Sequence, residues 1–584
     1  MYILGISPDH NSTAALLKDG RIIACVSEER FVRIKNFFGI PKKSIEFCLK
    51  FAGITAGDLD LVVVSSQVPP PLVDWGFENK ASVNSYQLLK KGYSFLTSQV
   101  EWKLPFFRRI DELIYKIAAK VMKGSINRER IRKFREVINV SQDKFLFLDH
   151  HQNHAVTALY GAPFLNEGTD ELLVFTADAE GDGLAATVSV YKNNQLVRIG
   201  KTSLNNSVGN FYSAVTQFLG MKPGEHEYKV MGLAPYAPKE DTAKVFDIIK
   251  DWIVVDKKNL SFKTIVNAHQ FLKLCYLKLS EKRFDHIAAA AQKLLEERVL
   301  ELIQAAVKKT GIKVVVASGG VFMNVKLNKL IAQEPGINKF FVFPSCGDES
   351  NAFGACYAGF LKLNPGGTAS PIKDLYLGPG FETARISRLV EKIKKVKVYK
   401  PKNVEDEIAK LLAKGEIIAR FEGRSEWGAR ALGNRSILAD SSILKVVEEI
   451  NKMIKNRDFW MPFAPIILDE DKDRYLKYLD NSTGYYMMMA YDTRQNHRDD
   501  LAAAIHPYDK TARAQILQKE FNPKLWEIIN QFKKITGRGV LLNTSFNIHG
   551  EPIVGSPEDA IDVFKRSGLK YLALGPYLIA KVNL

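Results

Sequence analysis

Residues 423–440 read GRSEWGARALGNRSILAD and set Arg424, Arg430, Arg435 and Ser436 among glycines, directly after the apolar Ile417, Ile418 and Ala419. Forked guanidinium donors beside a hydroxyl and a flexible backbone suit a small polyanion such as a phosphate or acyl phosphate. A solvated basic loop would not interleave Trp427 and Leu432 with its arginines, so an anion site is expected. Lys455, Arg457, Arg513, Asn543 and Ser545 offer donors of the same kind further along.

A second constellation is FLFLDHHQNHAVTALYG, residues 145–161. His150 and His154 are four residues apart, and a helix starting near Asp149 puts both imidazoles on one face. Such a pair is half of a transition-metal site, with room for a carboxylate and a substrate oxygen. His151 reads as a cap or a solvated neighbour. Asp348, in the Gly-rich loop of FFVFPSCGDESNAFGACYAG, is the third ligand candidate. Asp178, ending a strand, is the fourth and is also a candidate catalytic carboxylate. His10 is a candidate general base for a hydroxyl nucleophile, or a loop histidine bonded to backbone. GEHEYKVMGLAPY (224–236) combines Glu225, His226 and Lys229. It reads as a cleft segment of unspecified role, with Lys229 as a further catalytic candidate.

Positioning these groups takes a framework that the sequence outlines by repetition. YILGIS-PDHNSTAALLKDGRIIACVSEE and ELLVFTAD-AEGDGLAATVSVYKNNQLVRIGKTS each read as a strand, a polar loop and a hairpin. Two such units followed by helices outline an α/β fold, a duplicated actin/hexokinase-like (ribonuclease H-like) ATPase core with loops facing phosphates across a cleft. After the helix 288–309, KVVVASGGVFMNVKLN ends a strand at Gly319 and Gly320 and leads through Asn324 into a helix. Glycine lets backbone approach a ligand there, and helix N-termini favour anions. NPGGTASP (364–371) and LGPG (377–380) form the clearest break in composition, giving domains 1–370 and 371–584.

The chain has 584 residues, 46% hydrophobic and 25% charged, ordinary for globular domains but too long for one core. No apolar run approaches the roughly 20 residues needed to cross a bilayer. The N-terminus lacks a basic n-region and cleavage site, and the five cysteines are scattered without metal-type spacing. A cytoplasmic protein is the expectation. Of the formal charge of +17, an excess of nine falls between Lys90 and Arg135, where thirteen basic residues face four acids. A solvated helical insertion near 80–140 explains that stretch best, an anionic or membrane surface second and nucleic acid third.

Taken together, HNSTAALLKDG (10–20), SEERFVRIK (27–35), DHHQNHA (149–155), GEHEYKVMGLAPY, SGGVFMN (318–324) and GDESNAFGA (347–355) resemble the NodU/CmcH-type O-carbamoyltransferase family. So do GRSEWGARALGNRSILAD, KNRDFWMPFAP (455–465), HPYDKTARAQ (506–515) and LLNTSFNIHGEPIVGSPEDA (541–560). The resemblance implies a first domain like the ATPase-type subunit of tRNA threonylcarbamoyl transfer, holding an iron-type divalent metal at His150, His154 and Asp348. It implies a YrdC-like second domain that makes carbamoyl adenylate from carbamoyl phosphate and ATP, with Mg2+ as an accompanying ion left open. The carbamoyl group would then pass to a hydroxyl of a small-molecule or sugar acceptor. A site closed to water fits that chemistry, because the mixed anhydride hydrolyses readily.

Two positions depart from the family pattern. Met461 stands where members commonly carry Arg, and Ala429 where they carry Pro. The competing readings are a fused threonylcarbamoylation enzyme, which the total charge favours, and a sugar kinase-like ATPase, which leaves the second domain unexplained. Acceptor, pathway and oligomeric state are not encoded legibly.

Overall fold

YILGIS forms β1 (Tyr2–Ser7), buried from Ile3 onward. A continuous apolar run of this kind marks a strand covered on both faces. β2 (Thr13–Lys18) pairs antiparallel with β1, and β3 (Arg21–Ser27) follows a turn in which Asp19 and Gly20 have φ of 46° and 84°. Two successive positive φ values twist a two-residue hairpin to match its strands. β4 (Leu61–Val64) and β5 (Phe145–Phe147) extend the sheet in parallel, in the order β3-β2-β1-β4-β5. The computed structural model describes residues 1–67, 124 and 127–582.

The second sheet repeats this plan. β6 (Leu172–Gly181), β7 (Leu184–Lys192) and β8 (Gln195–Ser203) form an antiparallel meander whose second turn has Asn193 and Asn194 at φ 52° and 60°. β9 (Ile253–Asp256) and β10 (Ser261–Thr264) make a separate hairpin. β11 (Val314–Ser318) and β12 (Lys339–Val342) add in parallel, giving β12-β11-β6-β7-β8. Read outward from the meander, both sheets share one strand order and one pattern of directions. This is the duplicated actin/hexokinase-like core expected from the repeat. The helix Asn351–Leu363 packs on β1 and on the helix His150–Gly161. Gly5 and Gly354 permit that approach: a Cβ on either would overlap a backbone carbonyl, of Ala352 and Asn153 respectively.

The remaining strands are β13 (Val396–Tyr399), β14 (Ile418–Phe421), β15 (Arg435–Ala439), β16 (Ala464–Leu468), β17 (Leu476–Lys477), β18 (Tyr491–Thr493), β19 (Thr511–Ala512), β20 (Gln515–Leu517), β21 (Val540–Ser545), β22 (Tyr571–Leu574) and β23 (Tyr577–Lys581). Eight of them form one mixed sheet, β13-β23-β22-β14-β15-β21-β16-β20. Ala419 and Ile437 enter one apolar core with the helix Pro557–Arg566, while Ile418 and Leu438 enter another with the helices Val404–Ala413 and Pro523–Thr536. The alternation of neighbouring residues between two cores shows a sheet covered on both faces.

The described residues cluster into one unit of Met1–Ile23 with Phe38–Pro371, and a second of Ala24–Phe37 with Ile372–Leu584. The sequence places 24–37 in the first domain. The structure assigns it to the second because Arg30 and Arg33 bond there, to carbonyls of Gly428, Pro552 and Ile553. Most of the basic stretch 90–135 and of the insertion near 80–140 lies outside the described residues. Of the described part, Arg130 is not solvated as expected: it is fully buried and donates to Ser66 O at 2.8 Å and Ser66 Oγ at 3.0 Å.

Candidate metal centre and anion site

Asp149 caps the helix His150–Gly161, its side chain accepting from Gln152 N at 2.8 Å, so the helix begins where the sequence places it. His150 and His154 consequently lie one turn apart, their rings 4.8 Å between centroids, 3% and 0% exposed. Asp178, within β6, and Asp348, in the loop after β12, bring two carboxylates to them. His150 Nε2 is 3.4 Å from Asp348 Oδ1, and His154 Nε2 is 3.3 Å from Asp178 Oδ2 and 3.7 Å from Asp348 Oδ1. One ligand atom from each of the four lies within 4.8 Å of the others. Two ligands on opposite sides of a transition ion, each about 2.1 Å away, span roughly 4.2 Å. His150 Nε2 is buried without a hydrogen-bond partner. Two imidazoles and two carboxylates are a donor set for first-row divalent ions, so these residues fit a metal.

Buried polar groups hold the ligands in place. His154 Nδ1 lies 3.0 Å from Ser318 Oγ, and Asn351 Nδ2 lies 3.1 Å from its Nε2. Burial opposes a charge on His154, but hydrogen bonds to the Asp178 and Asp348 carboxylates prevail and push its pKa up to about 9. Asp178 moves the other way: burial would raise it, yet His154 holds it well below the ordinary carboxylate range. It also accepts from Gly320 N at 2.9 Å and Ala179 N at 2.6 Å. Gly181 faces the His150 ring so closely that a Cβ would overlap it.

Sequence reasoning missed several groups here. Asp9 is 1% exposed with neither carboxylate oxygen hydrogen-bonded, and Oδ2 is 3.9 Å from His150 Nδ1. Burial, then the charge of Asp348, raises it to about 7. Asp182 accepts from the backbone N of His150 at 2.8 Å and of Gln67 at 3.0 Å. His151 is no solvated cap: it is fully buried, 2.8 Å from Thr176 Oγ1, and burial pushes it down to about 3. These partners sit far apart in sequence, and no local motif marks them.

The other first-unit candidates divide. His10 is half-buried, its ring edge-on to Phe38 at 5.4 Å. Lys229 is half-buried on the short helix Glu227–Leu233. Gly319, with φ of 108°, and Gly320 follow β11 beside Asp178. Asn324 is engaged differently from expectation. Its Oδ1 caps the helix Val325–Gln333 through Leu327 N, and its amide pairs with Gln292 at 2.9 Å and 3.0 Å. That leaves little capacity for a ligand.

In the second unit the side chains of the arginine loop are engaged within the loop. Arg435 is fully buried over the Phe421 ring, and its terminal nitrogens donate to the carbonyls of Glu422, Asn434, Pro379 and Gly423 at 2.6–3.3 Å. Burial lowers its pKa to about 9. Arg424 donates to Gly378 O at 3.0 Å and also to Leu377 O. Ser436 Oγ, fully buried, accepts from Gly433 N at 2.9 Å. The carboxylate of Glu426 accepts from Leu432 N at 2.7 Å and Arg435 N at 3.2 Å. Arg424, Arg435 and Ser436 thus brace the loop, because carbonyls that a tight turn leaves unpaired take their donors. Arg430 and the exposed Ala429 lie at the tip of this loop.

A different set of donors does converge. Lys455, 2% exposed, donates to Asn547 Oδ1 at 2.7 Å and to Asn547 O and Ser545 Oγ at 3.1 Å. Arg457 donates to Thr544 Oγ1 at 3.0 Å. Burial, then the charges of Arg457 and Lys35, hold Lys455 well below the ordinary ammonium range. Repulsion of that kind is relieved by a bound anion. Asn543 donates to Ala431 O at 2.8 Å, leaving its buried Oδ1 without a partner. Arg513 is half-buried between β19 and β20, and Met461 is half-buried in a turn closed by its N–H on Asp458 O at 3.0 Å.

Comparison with known proteins agrees with both units. Residues 2–357 match the carbamoyltransferase N-terminus family, and residues 409–581 the carbamoyltransferase C-terminus family. An uncharacterized protein of Methanocaldococcus jannaschii is 32% identical over the full length of both chains. Nodulation protein NolNO of Sinorhizobium fredii is 30% identical, covering 98% of this chain and 79% of its own. Nodulation protein U of Rhizobium tropici is 23% identical, covering 94% and 91%. With both halves matched in order and a full-length relative above 30% identity, the chain belongs to the carbamoyltransferase family and is a carbamoyltransferase.

Proposed function

We propose that the protein is an ATP-dependent O-carbamoyltransferase whose second unit makes carbamoyl adenylate: water cleaves carbamoyl phosphate to carbamate and inorganic phosphate, and the carbamate oxygen bonds to the α-phosphorus of ATP as pyrophosphate leaves. The carbamoyl group is then placed on a hydroxyl of a small-molecule or sugar acceptor in the first. The observation that carries this reading is the convergence of His150, His154, Asp178 and Asp348, in a chain whose other unit gathers Lys455, Arg457 and Ser545 around a buried ammonium.

His150, His154, Asp348 and Asp178 would hold a first-row divalent ion, iron by the family resemblance. Such an ion supplies Lewis-acid stabilisation of phosphate charge. The chain's own residues do the rest. Lys455 and Arg457 bind the anionic phosphate, and the backbone at Gly319 and Gly320 admits the adenylate. His10 takes the proton of the acceptor hydroxyl as its oxygen bonds to the carbamoyl carbon. The bond from that carbon to the phosphate oxygen breaks, and AMP leaves with the electron pair.

The test is product analysis with ATP and carbamoyl phosphate, singly and together. AMP and pyrophosphate formed only when both are present is the expected result. ADP formation without carbamoyl phosphate would point to a kinase-like ATPase instead. A requirement for threonine and bicarbonate would point to threonylcarbamoylation.

A further inference from the structure

Segment 24–37 carries Arg30 and Arg33, for which neither the metal centre nor the anion groups account. Arg30 is 5% exposed and donates to Gly428 O at 2.7 Å, in the middle of the 423–436 loop. Its Nε lies 3.6 Å from Glu29, and its charge is drawn to Glu29 and to Glu426, the carboxylate around which that loop folds. Gly555 lies against the Arg30 carbonyl so closely that a Cβ would overlap it. Arg33 donates to Ile553 O at 2.7 Å and Pro552 O at 2.9 Å, with Glu551 and Asp559 at 3.8 Å and 3.7 Å. The two loops are also joined, by Phe546 N on Arg435 O at 2.8 Å and Val554 N on Phe546 O at 3.0 Å. Segment 24–37 therefore clips the arginine loop to the turn that follows Ser545 and Asn547, the partners of Lys455.

We propose that Arg30 and Arg33 are positioning residues for the anion-binding groups of the second unit. Arg30 fixes the 423–436 loop through Gly428, and Arg33 fixes the turn after Asn547 through Pro552 and Ile553. This rests on the reading of Lys455 and Arg457 as carbamoyl phosphate ligands. Neither arginine touches the anion; both act through the backbone next to Ser545 and Asn547, the groups to which Lys455 is bonded.

The full-length chain carrying Arg33→Ala, Arg33→Lys or Arg30→Lys tests this. Carbamoyl-phosphate-dependent pyrophosphate release gives half-saturation and kcat, and calorimetry with inorganic phosphate reads anion binding without turnover. Arg33→Ala is expected to raise half-saturation about tenfold, the size of one lost charge-assisted hydrogen bond, with kcat little changed. Arg33→Lys is expected to recover part of that loss. Metal content should match the parent chain. If half-saturation and phosphate binding stay unchanged while kcat or the melting temperature falls, the arginines are structural only and the proposal is overturned. The Arg33 variants decide the matter if Arg30→Lys does not fold. A parent chain that binds phosphate but releases no pyrophosphate would overturn the proposed reaction alone.

Discussion

The candidate metal centre of the first unit and the arginine loop of the second both bury polar side chains, yet they use their polar atoms differently. His150 Nε2 and both oxygens of Asp9 are buried without hydrogen-bond partners. Arg435, equally buried, places four hydrogen bonds on loop carbonyls. A buried polar atom with no partner is costly, so a centre that keeps several is poised for a ligand. The two terminal nitrogens of the Arg435 guanidinium have already found their partners, and only its Nε is left over. Burial is the same in both places; in the first the facing histidine and aspartate atoms stay unbonded, and in the second the terminal guanidinium nitrogens are spent on the loop's own carbonyls.

The largest expected effect probes the open centre. His154→Ala removes one of four ligands, and bound iron or zinc measured by elemental analysis should fall to near background, with no carbamoylated acceptor formed. Pyrophosphate release should persist, since the anion groups are elsewhere in the chain. Equal loss of both activities would defeat the division of labour between the units.

Arg435→Ala probes the closed loop, and the outcome expected is unfolding rather than a clean binding defect. Each buried carbonyl left unpaired costs about 1–3 kcal/mol, readable as a lower melting transition of the second unit by calorimetry. A variant with parental melting and poor carbamoyl phosphate binding would restore Arg435 to the site and erase the contrast.

Lys455→Met should raise half-saturating carbamoyl phosphate about ten- to a hundredfold, at the scale of one or two charge-assisted bonds. The parent should also show a signature in pH. The ammonium binds the anion and its pKa is depressed, so affinity should be full at low pH and lost as pH rises, earlier than for an ordinary lysine. A pH-independent half-saturation would remove Lys455 from the contact. Met461→Arg is the smallest change. The position is half-buried, so the added guanidinium should lower half-saturation a few-fold with little change in melting, or leave both unaltered if it points to solvent.

The parts of this molecule legible in its sequence were the local ones. The strand–loop–hairpin repeat identified the duplicated core because its turns need positive φ and carry Asp-Gly or Asn-Asn. His150 and His154 were found because a helix face is fixed by spacing alone. Asp348 was found because a Gly-rich loop opened a helix. Asp178 ranked lower than it should, since only the adjacency of β6 and β11 brings it to His154. Asp9, Asp182, Ser318 and Arg130 carry no local signature and meet the centre through tertiary contacts. The bonds of Arg435 are not legible in the motif, which reports which donors exist, whereas the carbonyls that take them are set by the turns at Pro379, Glu422 and Gly423.

The clip formed by segment 24–37 has a consequence for how the chain is made. Arg33 bonds to residues 519 and 520 positions further on. At a synthesis rate of about 5–20 residues per second, that separation is roughly half a minute to two minutes of elongation. Throughout that interval the Arg33 guanidinium has neither of its carbonyls to meet, so the second unit cannot close behind the ribosome from its own contiguous residues. Its last folding step awaits nearly the final residues of the chain, and a nascent chain interrupted before Gly555 would leave the segment 24–37 without its dock.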